Sequence, residues 1–352
     1  DNDIIIMALP TPIDQNKNPN LKFLENALKE SMRYFKKGQL LILESTTYPG
    51  TTEEMIAPAI KAKEFKIGED FFLAYAPERI DLGNKAYPMR KIPKIIAGVT
   101  KYCTELADSF YKKIVEKTYI ASSPKVAEFT KLFENVFRLI NIAYVEEMAK
   151  LCEKLGIDIW EAIELAKTKP FGYMPFYPSA GAGGDCIPVN PYYLDWVAKK
   201  VDYELKLVQT AVSINEDMYL HVLNRIEEVL RKRKKDIANS RILIVGVTYK
   251  KDVADIRNSP SIRLMEALIK LGADVSYFDP FIPKIMIAGK DFNSIELNND
   301  NIRKSDIVVV LVDHSNIDYK LLYQEAKIIF DTKNVFKENE KIIKLGSGLS
   351  NL

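Results

Sequence analysis

Short apolar runs alternate with helical patterns along the first third of the chain. Each run has the length and residue content of a buried strand, and Thr51-Thr52-Glu53-Glu54 between them is typical of a capping box that opens a helix. Strands that alternate with helices indicate an α/β domain with parallel strands and crossover helices. The strand candidates are 3–9, 40–44, 71–75, 94–99 and 118–121. Because 3–9 would be a central strand with no element before it, we expect the natural N-terminus to be missing from the sequence.

After residue 123 the apolar spacing becomes helical, and strand-like runs return at 241. The predicted helix over 205–231 would be roughly 40 Å long, enough to bridge two domains or carry a dimer interface. We therefore predict α/β domains over 1–122 and 237–352, separated by a helical domain over 123–236. The other predicted elements are helices over 125–156, 159–168 and 260–271 and strands over 241–247, 274–278, 306–312 and 327–330.

Composition narrows the function only by exclusion. Fifty basic and 48 acidic side chains leave a net charge of +2, which does not favour binding to nucleic acid or to an anionic membrane. No apolar run is long enough to span a bilayer. Three cysteines and two histidines show no metal-binding spacing, and the odd cysteine number favours a reducing cytoplasm over a disulfide framework.

One cysteine lies in a glycine-rich loop, in the segment Gly183-Gly184-Asp185-Cys186. Asn190-Pro191 is typical of an N-cap followed by a first-turn proline, and it predicts a helix over 191–200. The positive end of that helix would favour a thiolate, whereas the Asp185 carboxylate would oppose it. On spacing alone, both a nucleophile and a small buried apolar residue remain open for Cys186.

Polar side chains follow several of the predicted strands, where open α/β sheets bind their ligands. Lys131 and Asn135 would share a face of the helix over 125–156, with Glu128 and Arg138 close to it, and a salt-bridged surface face is the alternative interpretation. The motif G-x-G-x-x-G is absent, since Gly246 stands alone in its loop, so this loop is a poor candidate for binding NAD. The strand-end segments are Ser45-Thr46-Thr47, Pro77-Glu78-Arg79, Thr248-Tyr249-Lys250-Lys251 and 252–257.

Taken in order, these segments resemble the UDP-glucose/UDP-N-acetylhexosamine 6-dehydrogenases over essentially the whole chain. The loop over 168–178 is similar to the branch that acts on UDP-N-acetylhexosamines, UDP-N-acetylglucosamine above all. The motifs that carry the resemblance are Pro10-Thr11-Pro12, Glu44-Ser45-Thr46-Thr47, Ala76-Pro77-Glu78-Arg79-Ile80, Lys131-Leu132-Phe133-Glu134-Asn135, the Cys186 loop, Lys250-Lys251-Asp252 with Arg257-Asn258-Ser259-Pro260, and Asp331-Thr332-Lys333-Asn334.

The resemblance implies two Rossmann-like parallel-sheet domains, binding NAD (1–122) and UDP-sugar (237–352), joined by a helical dimerisation domain. It also implies that an N-terminal βαβ unit, which carries the family's glycine-rich NAD loop, is missing from this sequence. It implies a four-electron oxidation of the sugar C6 hydroxyl, using two NAD⁺, through a thiohemiacetal and a thioester on Cys186. Lys131 would stabilise the alkoxide and Asn135 would hold the reacting oxygen. Thr46 and Glu78 would hold a water, with Glu78 as its base.

The resemblance also implies binding residues and partners. It suggests a homodimer formed through the central helix, no metal, no nucleic acid, no membrane, and a role in polysaccharide biosynthesis. The implied cofactor contacts are Pro10, Thr11, Thr46 and Arg257. The implied substrate contacts are Arg79, Ile80, Lys131, Asn135, Arg138, Tyr177, Gly183, Tyr249, Lys250 and Lys333.

Three positions depart from the family pattern. Asn190 stands where relatives have an aspartate that assists water, Asp185 where they have histidine or serine, and Lys333 where many have arginine. UDP-N-acetylmannosamine and UDP-glucose remain alternative substrates, and a non-catalytic UDP-sugar-binding protein is the rival class. A hydroxyacid dehydrogenase would share the helical middle, but the cysteine and the second α/β domain argue against it.

Overall fold

The computed structural model describes residues 2–81, 83–84 and 86–348. Its compact units are 1–137 with 189–206, termed unit 1, and 138–188 with 207–352, termed unit 2. The helices are α1 (Lys22–Ser31), α2 (Ala57–Lys61), α3 (Lys101–Tyr111), α4 (Pro124–Leu155), α5 (Ile159–Lys167), α6 (Asn190–Lys199), α7 (Lys206–Lys232), α8 (Pro260–Lys270), α9 (Asn299–Lys304) and α10 (Tyr319–Glu325).

The strands form one five-stranded sheet in each unit and a separate hairpin. The predicted α/β fold with a helical middle is confirmed, and the predicted helix over 205–231 is observed as α7. The hairpin β8–β9 and the strand β12 were not predicted. The strands are β1 (Ile4–Met7), β2 (Leu40–Leu43), β3 (Phe72–Tyr75), β4 (Lys94–Gly98), β5 (Thr118–Ile120), β6 (Arg241–Val245), β7 (Asp274–Phe278), β8 (Lys284–Ile287), β9 (Lys290–Asn293), β10 (Ile307–Val310), β11 (Ile329–Asp331) and β12 (Ile342–Lys344).

The sheet of unit 1 has the order β1-β2-β3-β4-β5, and its strands β2 and β3 are buried on both faces. One face packs against α1 and α2 through Leu24, Leu28 and Ile60, and the other packs against α3 through Cys103 and Ala107. Strands buried on both faces are continuous apolar runs, which is why the pattern alone located them.

Two strands of this sheet, β4 and β5, contradict the parallel arrangement expected from the sequence. β1, β2 and β3 are parallel, but β4 pairs with β3 in the antiparallel direction, with Ala74 opposite Gly98 and Tyr75 opposite Ala97. β5 then pairs in parallel with β4. The residue pattern of a fully buried strand does not encode its direction, so this difference was not visible in the sequence.

Unit 2 contains an all-parallel sheet in the order β12-β11-β10-β6-β7. α7 and α8 cover one face through apolar residues that include Val222, Ile226 and Leu264. α9 and α10 cover the other face through Ile302 and Leu322. Within the described part of the chain, no helix is both long and apolar enough to cross a membrane.

Candidate active site

In unit 1 the predicted polar loops follow the carboxyl ends of β1, β2 and β3. Because these strands are parallel, the loops begin at one edge of the sheet. The Leu9 N–H donates to Ser45 Oγ at 2.7 Å, which ties the loop after β1 to the loop after β2. Thr11 and Thr46 lie in these two loops with partly exposed side chains, and Pro10 is exposed. This edge therefore presents the predicted cofactor contacts of unit 1 to solvent.

Glu78 follows β3 and is held on both carboxylate oxygens. Its Oε1 accepts the backbone N–H groups of Arg79 at 2.7 Å and Ile80 at 2.6 Å, and its Oε2 accepts Lys94 Nζ at 3.1 Å. Partial burial acts to raise the pKa of Glu78, but the charge and hydrogen bond of Lys94 and the two N–H groups outweigh it and leave the pKa below its usual value. Glu78 is therefore ionised at neutral pH.

Lys131 and Asn135 lie one turn apart on α4, and both are buried. The alternative interpretation as an exposed salt-bridged face is wrong at Glu128 too, because that side chain is fully buried. The Nδ2 of Asn135 has no hydrogen-bond partner among the described residues. A buried amide in that condition has a free donor for a ligand or a water molecule.

Helix α4 is also connected to the loop that carries Glu78. Arg79 donates from Nη2 to Glu134 Oε1 at 2.5 Å and from Nε to Oε2 at 3.2 Å. This two-point contact has the fork geometry that makes an arginine–carboxylate pair specific. Arg79, predicted to contact substrate, thus has its guanidinium engaged by the residue that precedes Asn135.

The predicted capping box at 51–54 is wrong. Thr51 has helical backbone angles, and its hydroxyl donates to the Tyr48 carbonyl at 2.7 Å instead of capping a helix. Glu128 supplies the cap from α4: its carboxylate accepts the N–H groups of Gly50 at 2.5 Å and Thr52 at 2.9 Å and the Thr52 hydroxyl at 2.6 Å. The chain from 52 then forms a π-helical turn that continues into α2.

The predicted N-cap at Asn190 is wrong as well. Val189 precedes the helix, and Asn190 is the first residue inside α6, with its Nδ2 buried and unpartnered among the described residues. Val189 and Tyr193 pack with Leu132 of α4. Asn190 therefore begins a helix that packs on the part of α4 between Lys131 and Asn135.

In unit 2 the loop that carries Cys186 is positioned mainly by its backbone. The Gly184 N–H donates to the Arg257 carbonyl at 2.9 Å, and Asn258 Nδ2 donates to the Gly184 carbonyl at 3.0 Å. A Cβ at Gly183 would lie 2.7 Å from the Cβ of Tyr249 and 2.9 Å from the Asn258 carbonyl oxygen, so the close approach requires glycine.

The Cys186 thiol is exposed and free. Asp185 beside it forms an ion pair with Arg257, whose Nε also lies 3.0 Å from both carboxylate oxygens of Asp255. Unit 2 thus brings Gly183, Cys186, Tyr249 and Arg257 together, as predicted for a site with an accessible nucleophile.

The loop from Thr248 to Asp252 rests on a buried histidine that the sequence analysis set aside. His314 Nδ1 accepts the Asp252 N–H at 2.9 Å, and its Nε2 lies 3.1 Å from Thr248 Oγ1 and 3.2 Å from Asp279 Oδ2. These partners favour the neutral ring with its proton on Nε2. The strand-end position just beyond β10 was the only sequence signal for this support of Tyr249 and Lys250.

The remaining predicted substrate residues of unit 2 have other surroundings. Lys333 follows β11, and burial lowers its pKa despite the nearby carboxyl groups of Asp313, Glu146 and Asp331. Tyr177 donates its hydroxyl to Glu164 at 2.6 Å, and its ring stacks on Trp160. Arg138 is exposed on α4.

The chain matches three family descriptions in succession. They are the NAD binding domain, the central domain and the UDP binding domain of the UDP-glucose/GDP-mannose dehydrogenase family, over residues 1–115, 125–217 and 243–338.

Similar proteins agree with these matches. The UDP-N-acetyl-D-glucosamine 6-dehydrogenase of Pseudomonas aeruginosa is 32% identical over 97% of this chain and 82% of its own. The UDP-N-acetyl-D-mannosamine dehydrogenase of Methanocaldococcus jannaschii is 33% identical over 98% of this chain and 80% of its own. The solved structure of the UDP-D-ManNAc dehydrogenase from Pyrococcus horikoshii is 29% identical, with a TM-score of 0.88 over 99% of this chain and 82% of that one.

The fold and the matched domains define a dehydrogenase with an NAD-binding sheet unit and an exposed cysteine in a second sheet unit. The chain belongs to the UDP-glucose/GDP-mannose dehydrogenase family. It is an NAD-dependent UDP-sugar dehydrogenase, as the resemblance implied.

Proposed function

We propose that the protein oxidises the C6 hydroxyl of a UDP-N-acetylhexosamine to the carboxylate, with UDP-N-acetylglucosamine preferred and UDP-N-acetylmannosamine second. The observation that carries this proposal is the exposed Cys186 thiol, in a loop that packs on Tyr249 and is hydrogen-bonded to Arg257. The names of the similar proteins support this choice of sugars. UDP-glucose is the alternative substrate.

The residues of unit 1 fit a bound dinucleotide. Pro10, Thr11 and Thr46 lie accessible at the carboxyl ends of parallel strands, where doubly wound sheets bind such cofactors, and the exposed Arg257 guanidinium of unit 2 is a further proposed contact. When bound, NAD⁺ supplies the hydride acceptor for both oxidations.

In the first oxidation the C6 hydroxyl gives its proton to water and C6 gives a hydride to the bound acceptor, which leaves the aldehyde. The Lys131 ammonium stabilises the negative charge that develops on the C6 oxygen. The Asn135 amide donates to the same oxygen, and its unpartnered Nδ2 supports this role. Each of these two groups acts on the oxygen at which charge develops.

The second oxidation proceeds on the cysteine. The Cys186 thiolate attacks the aldehyde carbon, so that a C–S bond forms and the carbonyl π electrons move to oxygen. Loss of a hydride from C6 gives the thioester. Water then attacks the thioester carbon, the C–S bond breaks, the thiolate leaves, and the proton of the water passes to Glu78.

Because Asn190 replaces the aspartate of the family pattern, Glu78 is the proposed base for the hydrolysis. An amide does not accept a proton at neutral pH, so Asn190 can only orient the water or the substrate. Glu78 is ionised and able to accept the proton. Asn190 is also the residue that favours the rival proposal, a UDP-sugar-binding protein without catalysis.

We further propose a homodimer, with its interface on α4. The apolar face of α7 is buried in the core of unit 2, so α7 does not offer that face to a second subunit. The first half of α4 exposes Val126, Phe129, Phe133 and Phe137 at helical spacing, which makes an apolar stripe on the surface of the helix. Light scattering should report a dimer that Phe133→Glu converts to monomer. A wild-type monomer would contradict the proposal.

The exposed thiol requires a reducing compartment, so we retain the cytoplasmic location expected from the cysteines.

The activity is tested by incubating the full chain with NAD⁺ and each of the three UDP-sugars while NADH and uronate are measured. We expect two NADH per uronate, with the highest rate on UDP-N-acetylglucosamine. Cys186→Ser should abolish uronate formation and retain UDP-sugar binding, whereas Cys152→Ala at a buried cysteine should retain activity. Sugar binding without NADH from any substrate would instead establish the non-catalytic alternative.

A further inference from the structure

The antiparallel strand β4 brings a lysine to the end of the sheet where Glu78 lies, which is the carboxyl end of β3. The pairs Ala74–Gly98 and Tyr75–Ala97 define the register between β3 and β4. Extended by three residues, the same register places Lys94 opposite Glu78. If β4 were parallel to β3, as the sequence led us to expect, its first residue would lie at the opposite end of the strands from Glu78. The direction of this strand therefore decides that the two side chains meet.

Lys94 joins three groups from different elements. Its side chain is only 7% exposed, and its Nζ lies 2.8 Å from Glu44 Oε1 and 3.1 Å from Glu78 Oε2. The same Nζ lies 5.0 Å from the centroid of the Tyr111 ring, and the Tyr111 hydroxyl donates to Glu44 at 2.5 Å. A buried ammonium is stable only with such partners. Glu44 and Tyr111 therefore fix the cation that faces Glu78.

The hydrogen bonds of Glu78 show which of its oxygens can accept a proton. Its Oε1 already accepts two backbone N–H groups, whereas among the described residues Oε2 accepts only Lys94. A carboxylate oxygen has two lone pairs, so Oε2 keeps one for a water molecule. Lys94 thereby orients the oxygen that remains available.

We propose that Lys94, held by Glu44 and Tyr111, is a positioning residue that orients the Glu78 carboxylate and maintains its negative charge for thioester hydrolysis. This inference rests on the proposed function and extends it to three residues with no role assigned above.

The inference predicts a pH effect. The charged or titratable groups around Glu78 are Lys94 from β4, Glu44 from the loop after β2, Tyr111 from α3 and the Arg79–Glu134 pair. Burial acts to raise the pKa of Glu78, and Lys94 is the largest contribution that lowers it. Without Lys94 the pKa should rise. The acid limb of the hydrolysis rate should then move to higher pH by about one unit or more.

The experiment compares Lys94→Met with Lys94→Arg and with Lys91→Met, a matched control at an exposed lysine. Each full-length variant is mixed with NAD⁺ and the best sugar, and NADH, uronate and the mass of the covalent enzyme–sugar adduct are followed against pH. Lys94→Met should accumulate the thioester, release uronate at least about tenfold more slowly, and shift the acid limb upward. Lys94→Arg should restore most of the rate, and Lys91→Met should match wild type.

Two failures are distinguishable. Absence of NADH from the wild type would overturn the proposed function itself. An active wild type whose Lys94→Met variant shows the same acid limb and no thioester accumulation would overturn only the role of Lys94. If circular dichroism shows that Lys94→Met is unfolded, Tyr111→Phe decides, because it removes only the hydroxyl that orients Glu44. It should shift the limb in the same direction by less, and an unchanged limb would overturn the inference.

Discussion

Around Cys186 in unit 2, Asp185 and Arg257 have side chains that are 47% and 57% exposed, whereas Glu128 of unit 1 is fully buried and Lys94 nearly so. The Cys186 loop is held by glycines and backbone hydrogen bonds, and its ion pair lies in water. In unit 1, by contrast, buried charged side chains such as Glu128 and Lys94 hold the residues of the proposed site in place. An exposed ion pair contributes little to stability, whereas removing one partner of a buried charge is costly. We therefore expect the loss of a charged side chain to lower the free energy of unfolding more in unit 1 than in the Cys186 loop of unit 2.

The largest expected effect is the loss of the Glu128 carboxylate. Glu128→Ala removes the acceptor for the N–H groups of Gly50 and Thr52 and for the Thr52 hydroxyl. Leaving these donors buried and unsatisfied should lower the free energy of unfolding by about 3 to 5 kcal/mol. Urea unfolding measures this change. A loss below about 1 kcal/mol would mean that water replaces the carboxylate, and the contrast between the units would fail.

The pH dependence of stability sharpens the same point. Burial raises the pKa of Glu128 from 4.5 to about 7, although its three hydrogen bonds oppose the rise. Between these values the folded protein keeps a proton that the unfolded chain has released. Stability from this group therefore falls as the pH rises from about 4.5 to 7, by on the order of 3 kcal/mol at most. Unfolding midpoints of wild type and Glu128→Gln across this range should diverge, and parallel curves would contradict the prediction.

A methyl group tests the backbone packing of the Cys186 loop. Gly183→Ala places a Cβ 2.9 Å from the Asn258 carbonyl oxygen, a backbone atom that must move. We expect a loss of roughly 1 to 3 kcal/mol in stability and slower NADH formation, because Cys186 is displaced with the loop. Gly289→Ala, which has open space around the new Cβ but a φ of +77°, is the control for the rate: it should lose stability through backbone strain and retain the rate of NADH formation. Equal NADH rates for the two variants would show that the loop tolerates the shift.

The smallest effect is expected from the exposed ion pair. Asp185→Asn should change the free energy of unfolding by less than about 1 kcal/mol, and high salt should reduce that difference further. Glu105→Gln, which removes the exposed contact with Lys101, provides a reference of the same kind. A loss as large as that of Glu128→Ala would show that Asp185 has a structural importance its exposure does not indicate.

Most elements of the fold could be predicted because buried strands appear as short apolar runs and amphipathic helices as apolar residues at helical spacing. The errors have specific causes. Asn before Pro is typical of an N-cap, yet Val189 takes that place, because the chain before α6 already has helical angles. Glu128 has the sequence context of a surface acid, and only the turn at 50–52 that packs over it makes it a buried cap.

The sequence by itself determined the family, the nucleophile candidate and the helix face shared by Lys131 and Asn135, because these depend on local order and spacing. Only the tertiary structure decided the direction of β4, the burial of Glu128 and the lowered pKa of Glu78. Those properties depend on partners that are distant along the chain, such as Lys94 for Glu78 and Gly50 for Glu128. Electrostatic and hydrogen-bond energies depend on distance through space and on exclusion of water, and residue order specifies neither directly.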